Sequence, residues 1–109
     1  METINFQISD LFFIWDDRKN RANFKKHQVA FEESATCWLD AYAVETYDKE
    51  HSYAETRWLL IARSDLGRLL ICWYTERQFN NQEVIRIIGA RPSTSSEKKL
   101  YYGKQSQNI

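Results

Sequence analysis

At 109 residues, with 43% hydrophobic and 15% aromatic side chains, the chain is sized for one domain with a buried core, and its composition excludes a disordered protein. Three glycines and one proline exclude a glycine-rich phosphate loop. No apolar run is long enough to span a membrane and no signal-peptide pattern is present, so a cytoplasmic location is expected. The formal net charge is zero, which argues against a generic nucleic-acid binder, yet the charges are segregated. Residues 18–27 hold five cations and no acid, residues 32–55 seven acids against one lysine, and residues 57–104 nine cations against four acids. If the fold joins the two basic blocks they form an RNA-facing patch; dispersed surface ion pairs are the alternative. Cys37 and Cys72 are far apart, without the paired spacing of a zinc site, and suggest reduced, buried thiols.

In chain order, Ile4, Phe6 and Ile8 alternate and Leu11 to Trp15 follow, which predicts one or two strands ending at Asp16. Residues 1–10 form an N-terminal extension, either an edge strand or an ordered tail. Asp16 is a good N-cap for a helix to about His27, with Lys19, Asn23 and Lys26 on one stripe. A short helix over 31–38 shows Phe31, Ser34, Ala35 and Trp38 on one face. Its cap position holds Ala30, roughly 1 kcal/mol worse than serine. Ala43 to Tyr47 is a strand, followed by a polar loop from Asp48 to Tyr53.

Thr56–Arg63 and Arg68–Arg77 then form a hairpin across Ser64-Asp65-Leu66-Gly67. With Arg63 opposite Arg68, one face carries Arg57, Leu59, Ile61, Leu70, Cys72 and Tyr74. The other carries Trp58, Leu60, Ala62, Leu69, Ile71, Trp73 and Thr75. Both faces are apolar at mid-strand, so both require cover. A last strand covers 83–91, with Arg86 and Arg91 bracketing an apolar run. Thr94-Ser95-Ser96-Glu97 is a capping box that opens a helix ending near Gly103, and residues 104–109 are expected to fray. Arg91 near that helix N-terminus favours a bound anion. One domain over 1–109 is expected.

An ordered set of residues resembles a known family. It comprises Trp15-Asp16, Lys19, Asn23, Lys26-His27, Val29, Phe31-Glu32-Glu33, Asp48, His51, Glu55, Arg57 and Gly67-Arg68, then the Arg86 to Arg91 strand, Thr94, Glu97 and Tyr101. From about residue 13 to about residue 103 this is similar to the BrnT family, toxin halves of bacterial type II toxin–antitoxin pairs. The resemblance implies a RelE-like α+β fold: an antiparallel sheet of about four to six strands, two N-terminal helices and a C-terminal helix. It also implies a metal-independent endoribonuclease that inhibits translation on ribosome-associated or free mRNA. The implied partner is a small antitoxin with a ribbon-helix-helix DNA-binding part, bound as a hetero-oligomer, and no cofactor or metal is implied. Gln28 stands where the family commonly has the glycine of a left-handed helix end, a cost of roughly 1 kcal/mol if the backbone is unchanged.

RNA cleavage through the 2′-hydroxyl needs a base, cations on the phosphate and an acid at the leaving oxygen. The catalytic candidates are His27, Arg77, Arg86 and Arg91, arginine because its planar fork fits phosphate oxygens. Lys19, Lys26, Arg57 and Tyr101 are candidates for RNA contact. Each has a structural alternative: pairing with Glu55, Glu76, Glu83 or Glu97 for the arginines, helix capping for His27, solvation for the lysines and packing for Tyr101. His51 supports either chemistry or loop bracing. The rival function is a non-catalytic module that docks a DNA-binding antitoxin and takes part in transcriptional autoregulation.

Overall fold

The computed structural model describes residues 2–53 and 55–106, with side chains as far as Gly103. In chain order the elements are β1 (Thr3–Ile8), β2 (Leu11–Asp16), α1 (Asp17–His27), α2 (Phe31–Thr36), β3 (Val44–Tyr47), β4 (Trp58–Arg63), β5 (Leu69–Phe79), β6 (Gln82–Pro92) and α3 (Ser95–Ser106). The strands form one six-stranded sheet in the order β1-β2-β6-β5-β4-β3. The expected α+β class holds, but the sheet is mixed, not antiparallel, so the expected RelE-like arrangement does not fit it exactly. β2 and β6 run parallel, with Phe13 beside Ile85 and Ile14 beside Arg86. The β3 to β6 meander starts at the far edge and returns toward the N-terminal hairpin, so its last strand meets β2 pointing the same way. Alternation fixes a strand's faces but carries no information about its neighbours. Residues 3–8 are an edge strand paired with β2. The C-terminal helix runs past Gly103 to Ser106, so 104–106 belong to it, and 107–109 lie outside the described residues.

Helices α1 and α2 cover one face. Phe13 and Trp15 of β2 and Ile87 of β6 pack there against Phe31 and Ala35 of α2. Trp38 and Ile85 join this cluster to a second one: Val29, Cys37, Leu60, Ala62, Leu70, Cys72, Tyr74 and Ala90. On the opposite face α3 packs over β3 and β4, where Tyr101 closes a cluster of Ile61, Leu69 and Ile71. The hairpin register is one residue from that expected, with Leu60 opposite Cys72 and Arg63 opposite Leu69. The turn is the cause. Gly67 takes φ +78°, its N–H reaches the Ser64 carbonyl at 2.9 Å, and Ser64 N–H reaches the Arg68 carbonyl at 2.8 Å. This is a turn followed by a left-handed glycine, which pairs Arg68 with Ser64 and so moves β4 to the other face relative to β5.

Two asparagines place α1. Asp16 caps that helix through the N–H groups of Arg18 and Lys19. Ala30 offers α2 no side-chain cap; instead Asn20 Oδ1 accepts the Phe31 N–H at 2.8 Å while its Nδ2 donates to Glu32. The missing cap is thus supplied from the neighbouring helix. Asn23 Nδ2 donates to the carbonyls of Ala90 and Val29, and its Oδ1 accepts the Ala90 N–H at 3.1 Å. Where β2 gives out, α1 takes its place beside β6, and one side-chain amide substitutes for the absent strand. Gln28 does adopt φ 57°, with its N–H on the Phe24 carbonyl. Glu33, buried in α2, accepts from the Arg68 guanidinium and from Ser64 Oγ, tying the helices to the hairpin turn.

Asn23→Ala leaves backbone groups of β6 and Val29 without partners and should cost about 2–4 kcal/mol in urea denaturation. Gln28→Gly relieves the left-handed conformation and should add about 0.5–1 kcal/mol. An Asn23→Ala loss below about 1 kcal/mol would mean that water serves the β6 edge equally well.

Candidate functional site

The sheet face opposite α1 and α2 is covered by α3 over β3, β4 and the start of β5, and farther along by the loop before β4, where Thr75 is buried while Trp73, Arg86 and Ile88 stay half-buried and Arg77 exposed. Trp73 and Arg77 of β5, Arg86 and Ile88 of β6 and Ile14 of β2 project here. A bulge sits within the β5–β6 ladder, where Trp73 pairs with Gly89 but Tyr74 pairs with Ile87. Ile88 is therefore the unpaired residue, and it lines a hollow of about 290 Å³ together with His51, Arg57, Trp73 and Gly89. A second hollow of about 190 Å³ lies among Thr3, Ile14, Trp15, Asp16, Arg77 and Arg86.

Glu55 links the two regions. One of its oxygens lies 3.1 Å from Arg77 and the other 3.7 Å from Arg86, and its side chain is 38% exposed. Two arginines thus share one carboxylate. Arg57 has no side-chain hydrogen bond or ion pair among the described residues, although it is half-buried just before β4. The loop from Asp48 to Arg57 is closed at its neck. Asp48 N–H donates to the Arg57 carbonyl at 2.9 Å; Ser52 Oγ donates to the Asp48 carbonyl at 2.6 Å and accepts the Arg57 N–H at 2.9 Å. Within it, His51 Nδ1 lies 2.9 and 3.1 Å from the two carboxylate oxygens of Asp48.

The other sequence candidates are placed differently. Arg91 makes a two-pronged pair with Glu97, at 2.9 and 2.8 Å, and its guanidinium carbon lies 5.1 Å from the centre of the Trp73 ring. The Glu97 carboxylate also accepts the Thr94 N–H, and the Glu97 N–H donates to Thr94 Oγ1, so the capping box forms as expected. The anion favoured by Arg91 and the helix terminus is thus the chain's own Glu97. Tyr101 is 3% exposed and donates to Asp40 at 2.6 Å, which commits its hydroxyl to the core side of α3. His27 is half-buried at the end of α1, and Lys19 and Lys26 are exposed on that helix. Among the described residues no hydrogen bond or ion pair joins these three to the arginine group. Nor does any group of three His, Cys, Asp or Glu side chains there converge as metal ligands.

Three carboxylates are held ionised by their partners. In Glu97 the Arg91 hydrogen bonds lower the pKa, against burial. In Glu33 burial alone would raise it, but hydrogen bonds from Arg68 and Ser64 and the Arg68 charge prevail. In Asp40 burial is likewise outweighed, by the Arg63 N–H, the Tyr101 hydroxyl and the Tyr42 N–H. The buried thiols of Cys37 and Cys72 are adjacent. A hydrogen bond with Cys72 and burial push the Cys37 thiol far above its ordinary range, leaving it unreactive.

The Asp48–His51 pair is not apparent in the sequence reading, which names His27 as the proton carrier and leaves His51 between chemistry and loop bracing. An aspartate three residues before a histidine in a loop was the available signal, but nothing in the order of residues says that the loop folds onto the sheet.

A family model described as ribonuclease toxin, BrnT, of type II toxin-antitoxin system matches residues 15–97. The fold and the cationic face therefore belong to a ribonuclease toxin, and the chain is a member of the BrnT family. No curated protein matches it significantly. Membership implies a protein antitoxin as partner. None of the helices among the described residues is long and apolar enough to cross a membrane.

Arg91→Ala strands the Glu97 carboxylate, 17% exposed, and should cost about 1–3 kcal/mol. Arg86→Ala, whose nearest acid lies 3.7 Å away, should cost under about 1 kcal/mol. Because Glu33, Asp40 and Glu97 all have folded pKa values below their unfolded ones, their stabilisation is complete above the ordinary carboxylate range. It is lost as pH falls through and below that range. Urea midpoints should therefore drop between pH 6 and pH 3, and Glu97→Gln should flatten part of that drop.

Proposed function

We propose that this chain is a metal-independent endoribonuclease that inhibits translation in the cytoplasm and is neutralised by a small antitoxin carrying a ribbon-helix-helix DNA-binding part. The observation that carries this is the surplus of cations on the face opposite α1 and α2. Arg77 and Arg86 share the single carboxylate of Glu55, and Arg57 has no partner among the described residues. A half-buried guanidinium without an acid is poorly satisfied unless an anion arrives, and its planar fork suits phosphate oxygens. On this reading Arg86, with Arg77, binds the scissile phosphate and stabilises charge as the 2′-oxygen attacks. Arg57 holds the neighbouring backbone. Trp73, braced by Arg91, offers a surface for base stacking.

The same face would receive the antitoxin. Acidic side chains of the partner pairing with these arginines would exclude RNA, so binding and cleavage compete. The hetero-oligomer would then repress its own transcription through the antitoxin's DNA-binding part.

Purified protein should cleave RNA, free or on ribosomes, in the presence of chelator, and leave a 2′,3′-cyclic phosphate. Arg86→Ala should lower kcat/KM by roughly 10²–10³-fold while leaving the fold intact. Activity that chelator abolishes and a divalent metal restores would sink the mechanism. A protein that binds antitoxin but leaves RNA whole would instead be an interaction module.

A further inference from the structure

We propose that His51, held by Asp48, is the general base that takes the proton from the attacking ribose 2′-hydroxyl in the hollow beside Arg57. This rests on the ribonuclease reading above and assigns the proton carrier that the arginines cannot provide, since guanidinium stays protonated in proteins.

The geometry is that of an oriented imidazole. Asp48 is 6% exposed, and both of its carboxylate oxygens lie within 3.1 Å of His51 Nδ1. An ionised carboxylate only accepts hydrogen bonds, so the Nδ1 facing it carries the hydrogen. The neutral ring then has its lone pair on Nε2. The His51 side chain is 54% exposed and lines the hollow with Arg57, Trp73, Ile88 and Gly89. A carboxylate behind an imidazole fixes ring orientation and stabilises the imidazolium that forms when the ring accepts a proton.

The loop does not leave this to chance. Ser52 bridges the Asp48 carbonyl and the Arg57 N–H, and the Asp48 N–H is bonded to the Arg57 carbonyl. His51 and Arg57, which line the same hollow, are thus tied to each other through the bonds at the neck of the loop, before any substrate is bound. His27 has none of this: no acid among the described residues is bonded to its ring, and it lies on α1, beside the other edge of β6 from Trp73.

The step balances without a metal. His51 Nε2 removes the 2′-hydroxyl proton; the 2′-oxygen bonds to phosphorus; the bond from phosphorus to the 5′-oxygen breaks. The products are a 2′,3′-cyclic phosphate and a 5′-hydroxyl, whose proton comes from water. The imidazolium returns its proton to solvent. Asp48 acts as a positioning residue, touching His51 and not the substrate.

The test compares wild type, His51→Ala, His51→Gln, Asp48→Asn and His27→Gln. Two quantities are read: the single-turnover cleavage rate of an RNA, and the Kd for the same sequence with 2′-deoxyribose at the cleaved position. His51→Ala and His51→Gln should each lower the rate by roughly 10²–10⁴-fold. Kd should stay within about threefold, and added imidazole should partly restore His51→Ala. Asp48→Asn should lower the rate about tenfold or more at unchanged Kd. A loop brace would move Kd or folding and would not respond to imidazole. Wild type that cleaves while folded His51→Gln cleaves equally well overturns this assignment alone, and loss of activity in His27→Gln instead would move the base to α1. Wild type that cleaves no RNA overturns the ribonuclease reading and this assignment together.

Discussion

Beyond its short parallel pairing with β2, strand β6 has no strand on that side, and the peptide of Ala90 would be left with an open edge. The Asn23 amide occupies that edge, giving and taking a hydrogen bond as a strand residue would, and it also holds the Val29 carbonyl. Much depends on this contact. It fixes α1 against β6, and through Asn20 it fixes the start of α2, whose own cap residue is an alanine. Phe31 and Ala35 can then close over Phe13, Trp15 and Ile87. With both helices committed to one face, the opposite face is left to α3, over β3, β4 and the start of β5, and to the loop before β4.

Burial then sorts the arginines. Arg68 and Arg91 each meet a well-shielded carboxylate, Glu33 and Glu97, in a multi-pronged arrangement that engages Nε and Nη2 of Arg68 and both Nη atoms of Arg91 with the chain itself. Removing either cation would strand a carboxylate away from water, which is the condition under which ion pairs matter most to stability. Arg77 and Arg86 differ because they share one exposed acid, and Arg57 differs because it has none among the described residues. Arginine content alone could not separate these two groups. The Asp48–His51 pair adds an oriented proton acceptor to the second group and not to the first.

The β-bulge at Ile88 has a similar effect on the hollow. One extra residue in β6 puts the Ile88 side chain beside Trp73 and leaves room next to Arg57. Bulges of this kind re-aim side chains at functional edges of sheets. Gly89, just after it, has Asn23 Oδ1 and the Trp73 ring about 3.8–3.9 Å from where a Cβ would stand. The bulge, the helix contact and the hollow therefore meet at one point of the strand.

The sequence by itself determined the elements and their local chemistry. Asp16 as a cap, the Thr94–Glu97 box and the hairpin over 56–77 depend on neighbours within four or five residues, so they are legible in residue order, whereas the left-handed backbone at Gln28 was implied only by the family resemblance. The family pattern was legible as well, because it is a set of residue types at fixed spacing. Tertiary structure decided the rest. The parallel β2–β6 pairing, the cap lent by Asn20, the committed state of Arg91 and Tyr101 and the placement of His51 beside Trp73 and Ile88 each join segments through space, or depend on a register set by a single turn residue. Periodicity specifies which side of an element is apolar. It does not specify which other element lies against that side, and the difference between a structural arginine and one free to hold phosphate is made there.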